Sequence, residues 1–142
     1  MPTEYVPADI RRLVVERARG GCEYCRIPAR FVPDSFTFDH LQPLMAGGET
    51  HPSNLAWACA GYNGYKHTTT KAVDLQTGQS VALFNPRQQI WIEHFAWSSD
   101  KTLVVGLTPT GRATMGALNL NRLTLINLRH LLADAGFHPP PD

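Results

Sequence analysis

Five short stretches decide how this chain reads: Cys22-Glu23-Tyr24-Cys25, Phe36-Thr37-Phe38-Asp39-His40, Gly47-Gly48, Asn54-Leu55-Ala56-Trp57-Ala58-Cys59, and Asn63-Gly64-Tyr65-Lys66. The run from Phe36 to His40 alternates apolar and polar residues, the period of a strand. The segment Leu41 to Ser53 carries Pro43, Gly47, Gly48 and Pro52 and reads as a loop. Asn54 to Ala58 is short and apolar, a returning strand. A short helix is expected from Ala60 to about Lys71, weakened by Gly61 and Gly64. A strand, a glycine loop, a second strand and a helix of this size bring Asp39, His40, Asn54, Asn63 and Lys66 toward one point.

Those residue types suit one chemistry. Histidine is the side chain whose ordinary pKa fits proton abstraction near neutrality. Asp39 and Asn63 offer hard oxygen ligands of the kind Mg²⁺ accepts. Lys66 adds a point charge for a phosphate. The set fits metal-assisted hydrolysis of a phosphodiester.

The same residues resemble the HNH endonuclease motif with its treble-clef core. Asn54 and Asn63 follow His40 at the family's usual gaps, and the resemblance covers roughly residues 20–71. It implies an α+β fold: a small ββα-metal (His-Me finger) core, an N-terminal helix and a C-terminal α/β extension over about 72–142, in one domain. It also implies a divalent-metal-dependent endonuclease acting on DNA, with RNA left open. His40 is then the general base that deprotonates the attacking water. Asp39 and Asn63 hold one Mg²⁺ (or Mn²⁺), and Asn54 fixes the His40 ring and the strand pairing around it. Lys66 meets a flanking phosphate, and His67 is a weaker ligand candidate. The products are a 5′-phosphate and a 3′-hydroxyl. Cys22, Cys25 and Cys59 match three ligands of the family's structural Zn²⁺. Tyr62 stands where the fourth thiolate is usual, and a phenol is a poor zinc ligand at neutral pH.

Outside this stretch the chemistry thins. Pro7 to Arg19 reads as a helix with Ile10, Leu13, Val14 and Arg17 on one side, stopped at Gly20-Gly21. Arg11, Arg12, Arg17 and Arg19 make it basic, which is either a solvated face or a DNA-backbone contact. After Lys71, Asp74 to Gln79 reads as a turn between two strand-like runs. Further strands are expected over Ile90–Trp97 and Leu103–Leu107, and a helix over Ala113–Leu118. A final helix has Leu120, Leu123, Leu128, Leu131 and Leu132 on its apolar side and stops near Gly136. His51, His94, His130 and His138 are read as structural or solvated, and Trp57, Trp91 and Trp97 as core.

Composition excludes several other classes. Thirteen Lys and Arg against twelve Asp and Glu, in 142 residues, leave a formal charge of +1. That is no strongly basic nucleic-acid coat, though a local basic patch remains compatible. Hydrophobic residues at 43% and charged residues at 18% describe a globular chain. No apolar run nears the roughly 20 residues of a membrane helix, and Met1 to Tyr5 lacks a signal-peptide pattern. Three cysteines, two of them as Cys-x-x-Cys, point to metal or redox chemistry in a reducing, cytoplasmic setting. Two other classes compete with the nuclease: a non-catalytic nucleic-acid-binding zinc-finger-like module, and a redox regulator built on the cysteines. The Asp39-His40, Asn54 and Asn63 set favours the nuclease, because a binding module needs none of them together.

Overall fold

The computed structural model describes residues 5–61, 66 and 68–141. Its elements run α1 (Ala8–Arg17), β1 (Thr37–His40), β2 (Leu55–Ala58), β3 (Lys71–Val73), β4 (Ser80–Ala82), α2 (Trp91–His94), β5 (Phe95–Trp97), β6 (Val104–Gly106), α3 (Pro109–Ala117) and α4 (Leu123–Asp134). The described strands pair antiparallel as β1–β2, β3–β4 and β5–β6, so the fold is α+β. Of the helix expected over Ala60–Lys71, Ala60, Gly61 and Lys66 are helical. It stops short of Lys71, which opens β3, because Thr70 already pairs with the other strand by accepting from the Leu83 N–H at 2.9 Å.

Helix α1 closes with a Schellman pattern: the Arg19 N–H reaches the Glu16 carbonyl and the Gly20 N–H reaches the Val15 carbonyl. The left-handed position, where glycine is cheapest, is held by Arg19 at φ 54°. Val14 is fully buried under the hairpin with Ile10 beside it, whereas Leu13 is 47% exposed. Leu13 lies off the stripe that the hairpin covers.

The β1–β2 register sets which residues share a face. Phe38 pairs with Trp57, Asp39 with Ala56 and His40 with Leu55. Alternation along the strands puts Phe38, His40, Leu55 and Trp57 on the α1 side, where Leu55 packs on Val6 and Val14. Asp39, Ala56 and Ala58 face the other way, into the main core. That core also holds Cys22, Cys25, Cys59, Phe84, Trp91, Phe95 and Leu132, so one buried cluster joins the cysteine turn to the C-terminal extension.

Three expectations in the extension change. Ile90–Trp97 is one helical turn, α2, followed by the short β5. The turn swings Trp91 inward, where its Nε1–H donates to the Tyr24 carbonyl at 2.9 Å, and leaves Ile90 and Ile92 exposed. Helix α3 begins earlier than Ala113, because Pro109 sits in its first turn and Thr108 caps it by accepting from the Gly111 N–H at 3.0 Å. In α4 the buried side is Leu125, Arg129 and Leu132, while Leu123 and Leu131 are exposed. Arg129 occupies the core-facing position because its guanidinium satisfies the carbonyls of Thr102 and Leu120 and the amide oxygen of Asn121. Asp74 to Gln79 forms the expected turn, closed by the Asp74 N–H on the Gln79 carbonyl at 2.8 Å.

That turn is anchored by an ion pair. The Arg112 Nε–H and Nη2–H each donate to an oxygen of the buried Asp74 carboxylate at 3.0 Å. Arg112 first, with help from Thr77 and the Gln76 N–H against the opposing effect of burial, brings the Asp74 pKa from its ordinary 3.8 to about 2. A carboxylate depressed by folding contributes stability above its unfolded pKa and loses it as pH falls. Acid unfolding is therefore expected to gain a component as pH drops from about 4 toward 2. Asp74→Asn should remove that component, a change read from melting temperature against pH.

Candidate functional site

His40 ends β1, half-buried, with its Nε2 2.9 Å from the Thr50 hydroxyl. The loop that carries Thr50 is held by Asn54. Its Oδ1 accepts from the Gln42 N–H at 2.8 Å, and its Nδ2 donates to the carbonyls of Gln42 at 3.1 Å and Glu49 at 2.9 Å. Leu41 N–H to Asn54 carbonyl, at 2.9 Å, continues the strand pairing one step past His40. Asn54 thus clamps both ends of the loop leaving His40, and it is Thr50 that bonds the ring nitrogen Nε2. Gly48 makes the clamp possible: a Cβ there would collide with the Gln42 carbonyl and crowd the Asn54 amide. Gly47, at φ 90°, turns the chain just before it.

Asp39 leaves the opposite face of the strand and is 6% exposed. Its carboxylate receives the Lys66 ammonium at 3.3 Å and the Tyr24 hydroxyl at 3.3 Å. Lys66 is itself 3% exposed, so the lysine expected at a substrate phosphate lies inside, on Asp39. Asn63, the other expected ligand, lies outside the described residues, as do Tyr62 and His67.

The three cysteines converge. Cys22, Cys25 and Cys59 are all buried, and their sulfurs lie within 4.8 Å of one another. The Cys25 and Cys59 sulfurs are 3.7 Å apart. Zinc–sulfur bonds near 2.3 Å in a tetrahedron require sulfur separations of about 3.8 Å, so these residues fit three corners of a zinc site. Two backbone N–H groups, of Tyr24 and Cys25, point at the Cys22 sulfur at 3.5 Å, and Arg122 reaches the Cys59 sulfur at 3.4 Å. Such donors favour thiolate over thiol. Against them, burial first and then the neighbouring sulfurs push the Cys22 thiol well up. The Cys22 hydrogen bond lowers Cys25, but Cys59 and burial outweigh it and bring Cys25 up to about 12. Cys22, Cys25 and Cys59 could hold a cation at their centre, which would take the protons' place.

The cysteine turn is tied to β2 through Glu23. Its N–H donates to the Trp57 carbonyl at 2.9 Å, and its carboxylate accepts from the Trp57 N–H at 2.8 Å. Cys59 follows Trp57 by two residues and so arrives beside Cys22 and Cys25.

With this geometry in view, the HNH endonuclease family model matches residues 22–69. Over that span the chain is similar to HNH endonucleases. No curated protein and no solved structure matches the chain. The matched HNH segment begins at Cys22 and includes His40, Asn54 and Cys59. The residues that follow it, from Thr70 on, supply the rest of the core against which the HNH cysteine turn packs. Among the described residues, no helix is long and apolar enough to cross a membrane.

Sequence reading missed Thr50, Tyr24 and Arg122. Thr50 sits in an irregular loop with no periodicity, and its contact with His40 exists only once Asn54 has folded that loop. Tyr24 reads as a filler between two cysteines. Arg122 lies 63 positions from Cys59. Its side chain passes over Gly61, where a Cβ would meet the guanidinium, which gives that helix-weakening glycine a use. The remaining histidines have structural partners: His51 caps Ser53, His94 bonds Thr108, His130 faces Asp134, and His138 bonds the Lys101 carbonyl against Trp97.

Proposed function

We propose that this HNH domain is a divalent-metal-dependent endonuclease that hydrolyses phosphodiester bonds of DNA, with His40 as general base. The observation that carries the reading is the placement of His40 within an HNH-matched segment: at the end of β1, bonded by Thr50, on a loop clamped by Asn54. Proton abstraction needs an imidazole whose orientation is settled before substrate arrives. Thr50 and Asn54 supply that order. Asp39 and Asn63 would hold the divalent ion, which when bound stabilises charge on the phosphate and the leaving oxygen. In this reading Lys66 holds the Asp39 carboxylate in place. A plasmid-nicking assay with Mg²⁺ or Mn²⁺, and with neither, tests the function. Cleavage that needs the ion is expected; intact plasmid under every condition would leave the nucleic-acid-binding module.

Cys22, Cys25 and Cys59 would hold a structural Zn²⁺, which when bound cross-links the turn to the end of β2. Metal binding by such a site adds directly to folding free energy. Tyr62→Cys would offer a fourth thiolate and is expected to raise zinc affinity and the melting temperature in zinc, without altering the Mg²⁺ dependence of cleavage. Zinc titration with thermal melting of both proteins checks this. A variant that takes up no zinc and melts lower would retire the four-ligand site.

A further inference from the structure

A second charged feature lies behind the β1–β2 hairpin. A cavity of about 390 Å³ opens between the end of α1, the cysteine turn and the segment before α2. Among the described residues, four arginines line it, Arg17, Arg19, Arg26 and Arg87, with one acidic residue, Glu23. Glu23 is already committed to Arg87 and to the Trp57 N–H. In a chain with a formal charge of only +1, this is a local concentration of positive charge. Arg26 lies over the Trp91 ring at 5.0 Å, so the cleft has an aromatic wall.

We propose that this cleft binds phosphate groups, and that in the working protein they belong to the nucleic-acid strand cut at His40. The proposal rests on the endonuclease reading above. Guanidinium forks match phosphate oxygens in geometry as well as charge. The cleft is joined to the candidate active site through one residue. Arg17 and Arg87 both donate to the carbonyl of Leu55, the residue opposite His40 in the register. The Arg17 Nε–H is also buried and meets no acceptor among the described residues. Burial first, and then Arg87 beside it, lowers the Arg17 pKa, a strain that an anion relieves.

Backbone strain agrees with this assignment. Arg19 at φ 54° and Arg26 at φ 66° take left-handed conformations in which glycine is cheapest. Two of the four described non-glycine residues with positive φ thus line this one cleft. Arginine at a position suited to glycine sacrifices stability for a charge.

The cleft is of a size that also takes free nucleotides, so the experiment has two arms. Binding of a fluorescent DNA duplex by the full chain is measured without added Mg²⁺ over a range of NaCl concentrations, and binding of dAMP is measured in parallel. The variant is Arg19→Gly with Arg26→Gly, because glycine suits both backbone positions; its melting temperature should match or exceed wild type. The expected result is weaker duplex binding and a slope of log K against log salt reduced by about 1.8, from two lost phosphate contacts at about 0.9 each. Arg19→Lys with Arg26→Lys should keep the wild-type slope. If the glycine pair melts far lower, Arg19→Gln with Arg26→Gln carries the same measurement. A wild-type protein that binds and cuts DNA, with an unchanged slope in the variants, overturns the cleft alone. A wild-type protein that binds no nucleic acid overturns the endonuclease reading and the cleft together. Binding of dAMP that is lost in the variant, beside an unchanged duplex slope, overturns the strand as the source of the phosphate.

Discussion

His40→Ala is expected to slow DNA cleavage by about 10²–10⁴-fold, the usual contribution of a general base. The fold should tolerate the change. His40 is half-buried at the end of β1, and its pairing with Leu55 runs through the backbone. The ring nitrogen Nε2 bonds a loop hydroxyl, that of Thr50, rather than a core group. Duplex affinity and melting temperature should therefore stay near wild type while single-turnover cleavage falls. Cleavage at the wild-type rate, at matched metal concentration, would remove His40 from the mechanism. A fall in cleavage that merely tracks a fall in melting temperature would mark a structural role instead.

Asp39→Ala is expected to cost about 3–5 kcal/mol of stability, because it strands a buried ammonium. Lys66 is 3% exposed, and its described ion pair is to Asp39. Activity lost in Asp39→Ala would then say little about metal binding, since the protein would be partly unfolded. The informative variant is Asp39→Ala with Lys66→Met, which removes both charges. Replacing a buried pair with apolar groups is often neutral or stabilising, so the double variant should recover most of the loss in urea unfolding. The coupling between the two sites is the recovered energy. If the recovered protein still fails to cut DNA at any Mg²⁺ concentration, Asp39 serves the ion as well as the fold. If it cuts normally, the metal-ligand assignment of Asp39 is wrong and the carboxylate is structural.

The two variants separate residues that are adjacent in sequence and different in situation. Successive strand residues leave opposite faces, so Asp39 and His40 divide between the main core and the α1 side. The expectation from the sequence is instead that both turn toward one point, and the strand alternation in the β1–β2 register separates them. Which face would be dry was not implied, because Asp39 is the polar residue of an apolar-polar pattern and reads as the solvent side. The extension decides otherwise: its Phe84, Trp91 and Phe95 join the Tyr24 cluster and close that face.

The hairpin and the glycine loop were legible because each rests on local chemistry, whereas the roles given to Asn54 and to Cys59 beside Cys22 and Cys25 came from the resemblance. Gly48 is required by an approach within its own loop, and Cys-x-x-Cys is a turn with its ligands built in. The Asp74 turn and the stop at Gly136, φ 85°, are of the same kind. What the tertiary structure alone decided are contacts between distant segments: Lys66 on Asp39, Arg122 on Cys59, Arg129 under the extension, and four arginines around one cleft. A charged side chain in a sequence defaults to solvent, since burial costs several kcal/mol without a partner. Its partner is specified by folding rather than by spacing: Lys66 meets Asp39 within the HNH segment, Arg129 finds its carbonyls within the extension, and Arg122 reaches Cys59 across the two.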